Sequence, residues 1–152
     1  MNSNLSVAIP IQQVHSVEGN VADIRERISK RAYDKFLNRG AAPGNELEDW
    51  LSAEAELIIR SSADLRFENN QVVIEVVVPN VDPTMLFVNI TPDEMLVLSG
   101  PDQNGMRVFQ TVRFQQEIVP TGMEAEYVVD TLFVIAPISD NGASSREAMK
   151  VA

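Results

Sequence analysis

The chain offers little for covalent chemistry. It has no cysteine and one histidine, His15, which removes thiolate catalysis, disulfides and any multi-histidine metal cluster. No phosphate-binding glycine loop, His-Glu-x-x-His or Gly-x-Ser-x-Gly pattern occurs. The 22 carboxylates are scattered, with no pair spaced for acid–base work. Neither an enzyme nor a cofactor or metal is expected, and His15 reads as an exposed arm residue. Recognition chemistry is better supplied. Ile9-Pro10-Ile11 sets alternate apolar side chains along a segment stiffened by proline, the residue types that plug a groove. The alternative is a tail whose apolar residues have no such role. Tyr33, Phe36 and Trp50 form a second set, either the core of a small helical unit or an aromatic patch for a partner.

The elements that must carry these residues follow from periodicity. Residues 1–20 show no helical period and read as an extended arm. From about Val21, Ile24, Ile28, Ala32 and Phe36 recur every four residues, with Tyr33 and Leu37 beside them. Gly40 suits a left-handed stop. Asn45 and Glu48 have the spacing of a capping box, opening a second helix with Leu47, Trp50, Leu51, Leu57 and Ile58 on its apolar side. Residues 21–60 therefore read as an antiparallel helical hairpin, too small to be stable alone. Beyond it the period falls to two, as in "VVIEVVV" and "LFVNI", with turns at Asn69-Asn70 and Pro92-Asp93. About seven short strands over 61–138 give an all-β core, an antiparallel immunoglobulin-like sandwich. Residues 139–152 read as a flexible polar tail.

Charge narrows the partners. Residues 1–60 carry 9 acidic and 7 basic side chains, residues 61–152 carry 13 and 5, and the whole chain has a net charge of −10. A nucleic-acid partner needs a basic footprint, so none is expected. No apolar run is long enough for a membrane span, and the N-terminus lacks the basic region of a signal peptide; a cytoplasmic protein is the expectation. A strongly acidic shell keeps a protein with exposed apolar surface in solution.

Two resemblances add to this reading. Residues 63–138 resemble the α-crystallin domain of small heat-shock proteins. Val78-Pro79, Leu86/Val88/Ile90, Leu96-Val97-Leu98-Ser99-Gly100, Met123-Glu124-Ala125 and Asp130-Thr131-Leu132 through Pro137 carry the likeness in order and spacing. It implies an ATP-independent chaperone, a holdase of the stress response that binds unfolding client proteins. It also implies an edge groove flanked by Leu86, Val88, Ile90, Met123, Ala125 and Tyr127, into which Ile9-Pro10-Ile11 could dock. The bland reading makes those six residues plain sandwich core. The segment "PDQNGMR" after Gly100 is shorter than the loop that carries an exchanged strand in typical bacterial members. That argues against a strand-swapped dimer and leaves a dimer or small oligomer. Residues 21–60 resemble a short bacterial two-helix domain of unknown function, through Arg31-Ala32-Tyr33, Phe36, Gly40, Asp49-Trp50 and Ala53-Glu54. The competing expectation is an adaptor module without chaperone activity.

Overall fold

The computed structural model describes residues 6–139; residues 1–5 and 140–152, and with them the flexible-tail reading, lie outside the described part. β3 (Ser62–Glu68) and β4 (Gln71–Val77) form a hairpin whose turn residues, Asn69 and Asn70, have φ of 54° and 61°. A two-residue hairpin turn of this hand needs both angles positive, and asparagine adopts them readily. β5 (Leu86–Ile90), β6 (Glu94–Ser99), β7 (Phe109–Arg113), β8 (Glu124–Val128) and β9 (Thr131–Pro137) complete the sandwich proper. The arm adds two short strands, β1 (Val7–Ala8) and β2 (Ile11–Gln13). The order is β1-β8-β9-β4-β3 in a five-stranded sheet and β2-β5-β6-β7 in a four-stranded one.

Strict alternation places the core between the sheets. Val72, Ile74, Val76, Leu132 and Val134 from one sheet meet Leu86, Val88, Ile90, Met95 and Val97 from the other, all wholly buried. Each such side chain contributes about 1.5–3 kcal/mol of burial free energy. One turn is strained. Val129 and Asp130 link β8 to β9 with φ of 43° and 64°, and a β-branched residue there is a genuine outlier. Val129 is also 73% exposed, so its side chain gains little from burial. Val129→Asn should therefore raise stability by about 0.5–1 kcal/mol, read as a later urea midpoint; an earlier midpoint would mean the valine makes a contact that outweighs the strain.

The helical hairpin docks on the outer face of the four-stranded sheet. α1 (Glu18–Asn38) begins where the Ser16 hydroxyl accepts the Glu18 N–H at 3.0 Å, and ends at Gly40, φ 89°. α2 (Glu46–Leu57) follows. Its expected capping box does not form: Asn45 makes no side-chain cap bond at φ −127°, ψ 30°, outside the extended region from which a cap side chain reaches forward. Glu46 instead accepts the Gly44 N–H at 3.2 Å. Ile24, Ile28 and Ala53 form the hairpin core, joined by Trp50, Leu57, Ile58 and Phe109 of β7. The expected apolar face of α2 is corrected by this packing. Leu47 is 71% and Leu51 52% exposed, because α2 presents the side holding Asp49 and Ala53 instead. Just past α2, Ile58 bridges in parallel to Arg107, with Ile59 N–H donating to the Arg107 carbonyl at 2.8 Å.

Ion pairs clamp the two helices. Arg39 grips the mostly buried Asp49 through Nε to Oδ1 at 3.1 Å and Nη2 to Oδ2 at 2.7 Å. Glu56 takes Arg31 at 2.7 Å and also Lys35. The Arg39 hydrogen bond holds the Asp49 carboxyl below its usual range, and those from Lys35 and then Arg31 do the same for Glu56. A carboxyl whose folded pKa is depressed stabilises the fold fully above its unfolded value, near 4, and loses that contribution as pH falls through the folded value. The hairpin should thus loosen below about pH 4, seen as a red shift of Trp50 emission. Asp49→Asn should show most of that shift already at pH 7; an emission maximum unmoved in both cases would remove the clamp from the account.

Candidate functional site

On one side of the sandwich, β8 of the five-stranded sheet and β5 of the four-stranded sheet would be neighbouring open edges. Residues 7–13 fill both. Val7 and Ala8 pair antiparallel with Tyr127 and Glu126, and the Ile9 N–H donates to the Ala125 carbonyl at 2.9 Å. The chain then crosses to the other sheet. Ile11, Gln12 and Gln13 pair in parallel with Val88, Asn89 and Ile90. The Val88 N–H donates to the Pro10 carbonyl at 3.0 Å, and the Val14 N–H to the Ile90 carbonyl at 2.9 Å. Pro10 sits exposed at the crossing, where its missing N–H leaves no ladder bond unmade. Ile9 points the other way and is 4% exposed within the main core, with Ile11 packed against it.

The residues expected to flank a groove lie on or beside the two strands with which the arm pairs. Leu86, Val88, Ile90, Ala125 and Tyr127 are buried in the sandwich core, and Met123 is half-buried at its margin. Their side chains share the core cluster with Ile9, while the backbone edges of β5 and β8 make hydrogen bonds to the arm. Tyr127 fixes one wall: its hydroxyl donates to the Val78 carbonyl at 2.6 Å. Burial pushes its pKa up, and the neighbouring Asp130 carboxylate adds to the effect. Beside the arm lies a cavity of about 440 Å³ lined by Met123, Glu124, Glu126, Phe133 and Ile135 with Ala8, Ile9 and Ile11. Phe133 and Ile135 were not among the sequence candidates. The signal was present, since β9 is apolar at nearly every position and so has an apolar outer face as well.

The aromatic set separates. Tyr33 stacks on Phe36 at 6.0 Å and Arg39 lies 5.3 Å over the Phe36 ring. Tyr33 is 59% exposed, which corrects the core reading for that residue: nine residues beyond Ile24 lies half a turn around the helix from the packed face. Trp50 is half-buried. It lines a cleft of about 880 Å³ between the helices and β7, with Ile24, Phe109 and Arg113. His15 is exposed. Among the described residues no group of three or more His, Cys, Asp or Glu could hold a metal, and no helix is long and apolar enough to cross a membrane.

The molecule is thus a two-sheet β-sandwich carrying a docked helical hairpin and an intramolecular strand that closes one side. Residues 25–58, within the hairpin, match a family model described as "Protein of unknown function (DUF2934)". No curated protein matches the chain. Among solved structures it is similar to heat shock protein 16.0 from Schizosaccharomyces pombe, at 15% identity and a TM-score of 0.45 over 51% of this chain and 86% of that one. It is similar to a small heat-shock protein from Xylella fastidiosa, at 14% identity and 0.45 over 52% and 85%. It is also similar to the Del-C4 mutant of hsp14.1 from Sulfolobus solfatataricus P2, at 11% identity and 0.48 over 71% and 96%.

Proposed function

We propose that the chain is an ATP-independent holdase, a chaperone of small heat-shock type that binds apolar segments of unfolding client proteins in the cytoplasm. The observation that carries this reading is the arm. An extended Ile-Pro-Ile segment already occupies the opening between β5 and β8, with backbone hydrogen bonds on both edges and Ile9 in the core. A client segment of similar character would be held the same way, by strand addition for affinity and alternate side chains for fit. The net charge of −10 would keep the loaded complex dispersed.

An adaptor role without chaperone activity is the second reading. It is favoured by Leu47, Leu51, Tyr33 and Leu37 of the hairpin, which stand about half or more exposed in positions suited to one specific partner. Light scattering from a heat-labile enzyme, without ATP and at near-stoichiometric ratios, separates the two. Suppression beyond that given by an inert protein of equal charge supports the holdase; no suppression by the folded chain leaves the adaptor.

A further inference from the structure

The four-stranded sheet has its outer face occupied by the hairpin, while no element among the described residues covers the outer face of the five-stranded sheet. Strand register gives that open face a definite pattern. Val73 of β4 and Glu124 of β8 flank Ile135 of β9, and Glu75 and Glu126 flank Phe133. One position further along, Val77 and Val128 flank Thr131. An apolar stripe therefore runs down the middle of the face, with Ile135 37% and Val77 43% exposed. Carboxylates line it, chiefly on the β8 side. Glu75 is held by Arg66, but neither Glu124 nor Glu126 has a cation partner among the described residues. The cavity beside the arm opens onto the same two glutamates and onto Phe133 and Ile135.

We infer that this outer face is a second docking surface, and that its occupant is a protein segment whose apolar core is flanked by lysine or arginine. The apolar stripe takes the core of the segment. Free carboxylates next to an aromatic ring attract an ammonium or guanidinium at its flank, through ion pairing and through the ring face. A segment flanked by Asp or Glu is repelled by the same groups, and like-charge juxtaposition discriminates more strongly than attraction selects. Aggregation-prone strands in natural proteins are commonly bounded by charged gatekeeper residues. The inference thus deepens the holdase reading, on which its biological sense rests, by naming the class of client segment: cation-flanked rather than anion-flanked. The binding itself needs neither arm release nor suppression of aggregation.

Two fluorescein-labelled peptides, KKVFIVKK and EEVFIVEE, test it by anisotropy with the full chain. The lysine peptide should bind about tenfold more tightly at roughly 0.05 M salt, the difference collapsing near about 0.5 M. Glu124→Lys with Glu126→Lys should reverse the preference, and Phe133→Ser should weaken both peptides; the two glutamates are exposed and Phe133 is half-buried, and far-ultraviolet and melting curves of each variant verify the fold. In Ile9→Ser with Ile11→Ser, whose bared edge adds apolar binding for both peptides alike, the lysine peptide should keep its advantage over the glutamate peptide, and the glutamate reversal made in that background should still invert it. Equal affinity for the two peptides, indifference to the glutamate reversal, or loss of the charge preference in the arm variant would each overturn the inference, the last by placing the charge selection in the arm rather than on this face. Failure to bind the peptide together with salt-sensitive self-association of the chain would also overturn it, since the occupant would then be a second copy. Suppression of aggregation is measured separately, so loss of the holdase reading and loss of this surface give different results.

Discussion

Replacing Ile9 and Ile11 with serine should free the arm and open the groove. Removing a buried isoleucine costs about 2–5 kcal/mol, and the hydroxyl left in an apolar site adds to it. The backbone bonds that remain, among them Ile9 to Ala125, Val88 to Pro10, Val14 to Ile90 and the short ladders to β8 and β5, contribute only about 0.5–1.5 kcal/mol each, and with both isoleucine anchors lost the arm should spend much of its time detached. The sandwich itself should persist, because its core is made by β3 to β9. Three readouts follow: faster amide exchange at Val88, roughly severalfold brighter binding of a hydrophobic dye to the bared edge, and stronger suppression of client aggregation per molecule. Protected Val88 together with unchanged dye binding would show that the arm is held by something other than its isoleucines. Faster exchange without a gain in suppression would keep the geometry and remove the groove from the chaperone proposal.

The second large effect concerns the hairpin. Ile28 is 3% exposed and shares its cluster with Ile24, Ala53 and Phe109. Ile28→Asp would bury an unpaired carboxylate, a change costing several kcal/mol, against a typical domain stability of about 5–15 kcal/mol. The helices should leave the sheet before they accept that charge. Trp50 emission should shift to the red and become readily quenched, while the far-ultraviolet signal of the β-sheets remains. An unshifted Trp50 would mean that α2 stays docked without the cluster, held by the Ile58–Arg107 bridge and the neighbouring backbone bonds. Loss of the sheet signal as well would show that the hairpin and sandwich fold as one cooperative unit.

Much of the architecture was legible because strand alternation and helix period are properties of the chain itself. The inward sets Val72/Ile74/Val76 and Leu86/Val88/Ile90, the positive-φ turn at Asn69-Asn70 and the stop at Gly40 all follow from local residue choice. What depended on docking was hidden. α2 offers apolar residues on more than one side, and only the presence of β7 decides that Ala53 and Ile58 face inward while Leu47 and Leu51 do not. The Asn45 cap failed for a related reason, since a backbone angle set by the Pro43-Gly44 connection lies outside what spacing alone reveals. In the groove, apolar alternation could not say whether Leu86 to Ile90 were core or wall. Leu86, Val88 and Ile90 have buried side chains while the backbone of Val88 to Ile90 pairs with the arm, so residue type could not separate the two.

The arm also sets an order of events during synthesis. Ile9 leaves the ribosome early, yet its partners at Ala125 and Tyr127 lie roughly 115 residues downstream, about 6–23 s later at usual rates of elongation. Contacts this distant in sequence form late, because a long loop must close before they contribute anything. The parallel pairing with β5 is available sooner but completes only half of the site. A newly made chain therefore passes through a stage in which the sandwich is folded and its last edge is still bare. Residues 7–13 are the strand of this chain that covers that edge, so any peptide pairing there after folding would have to displace them.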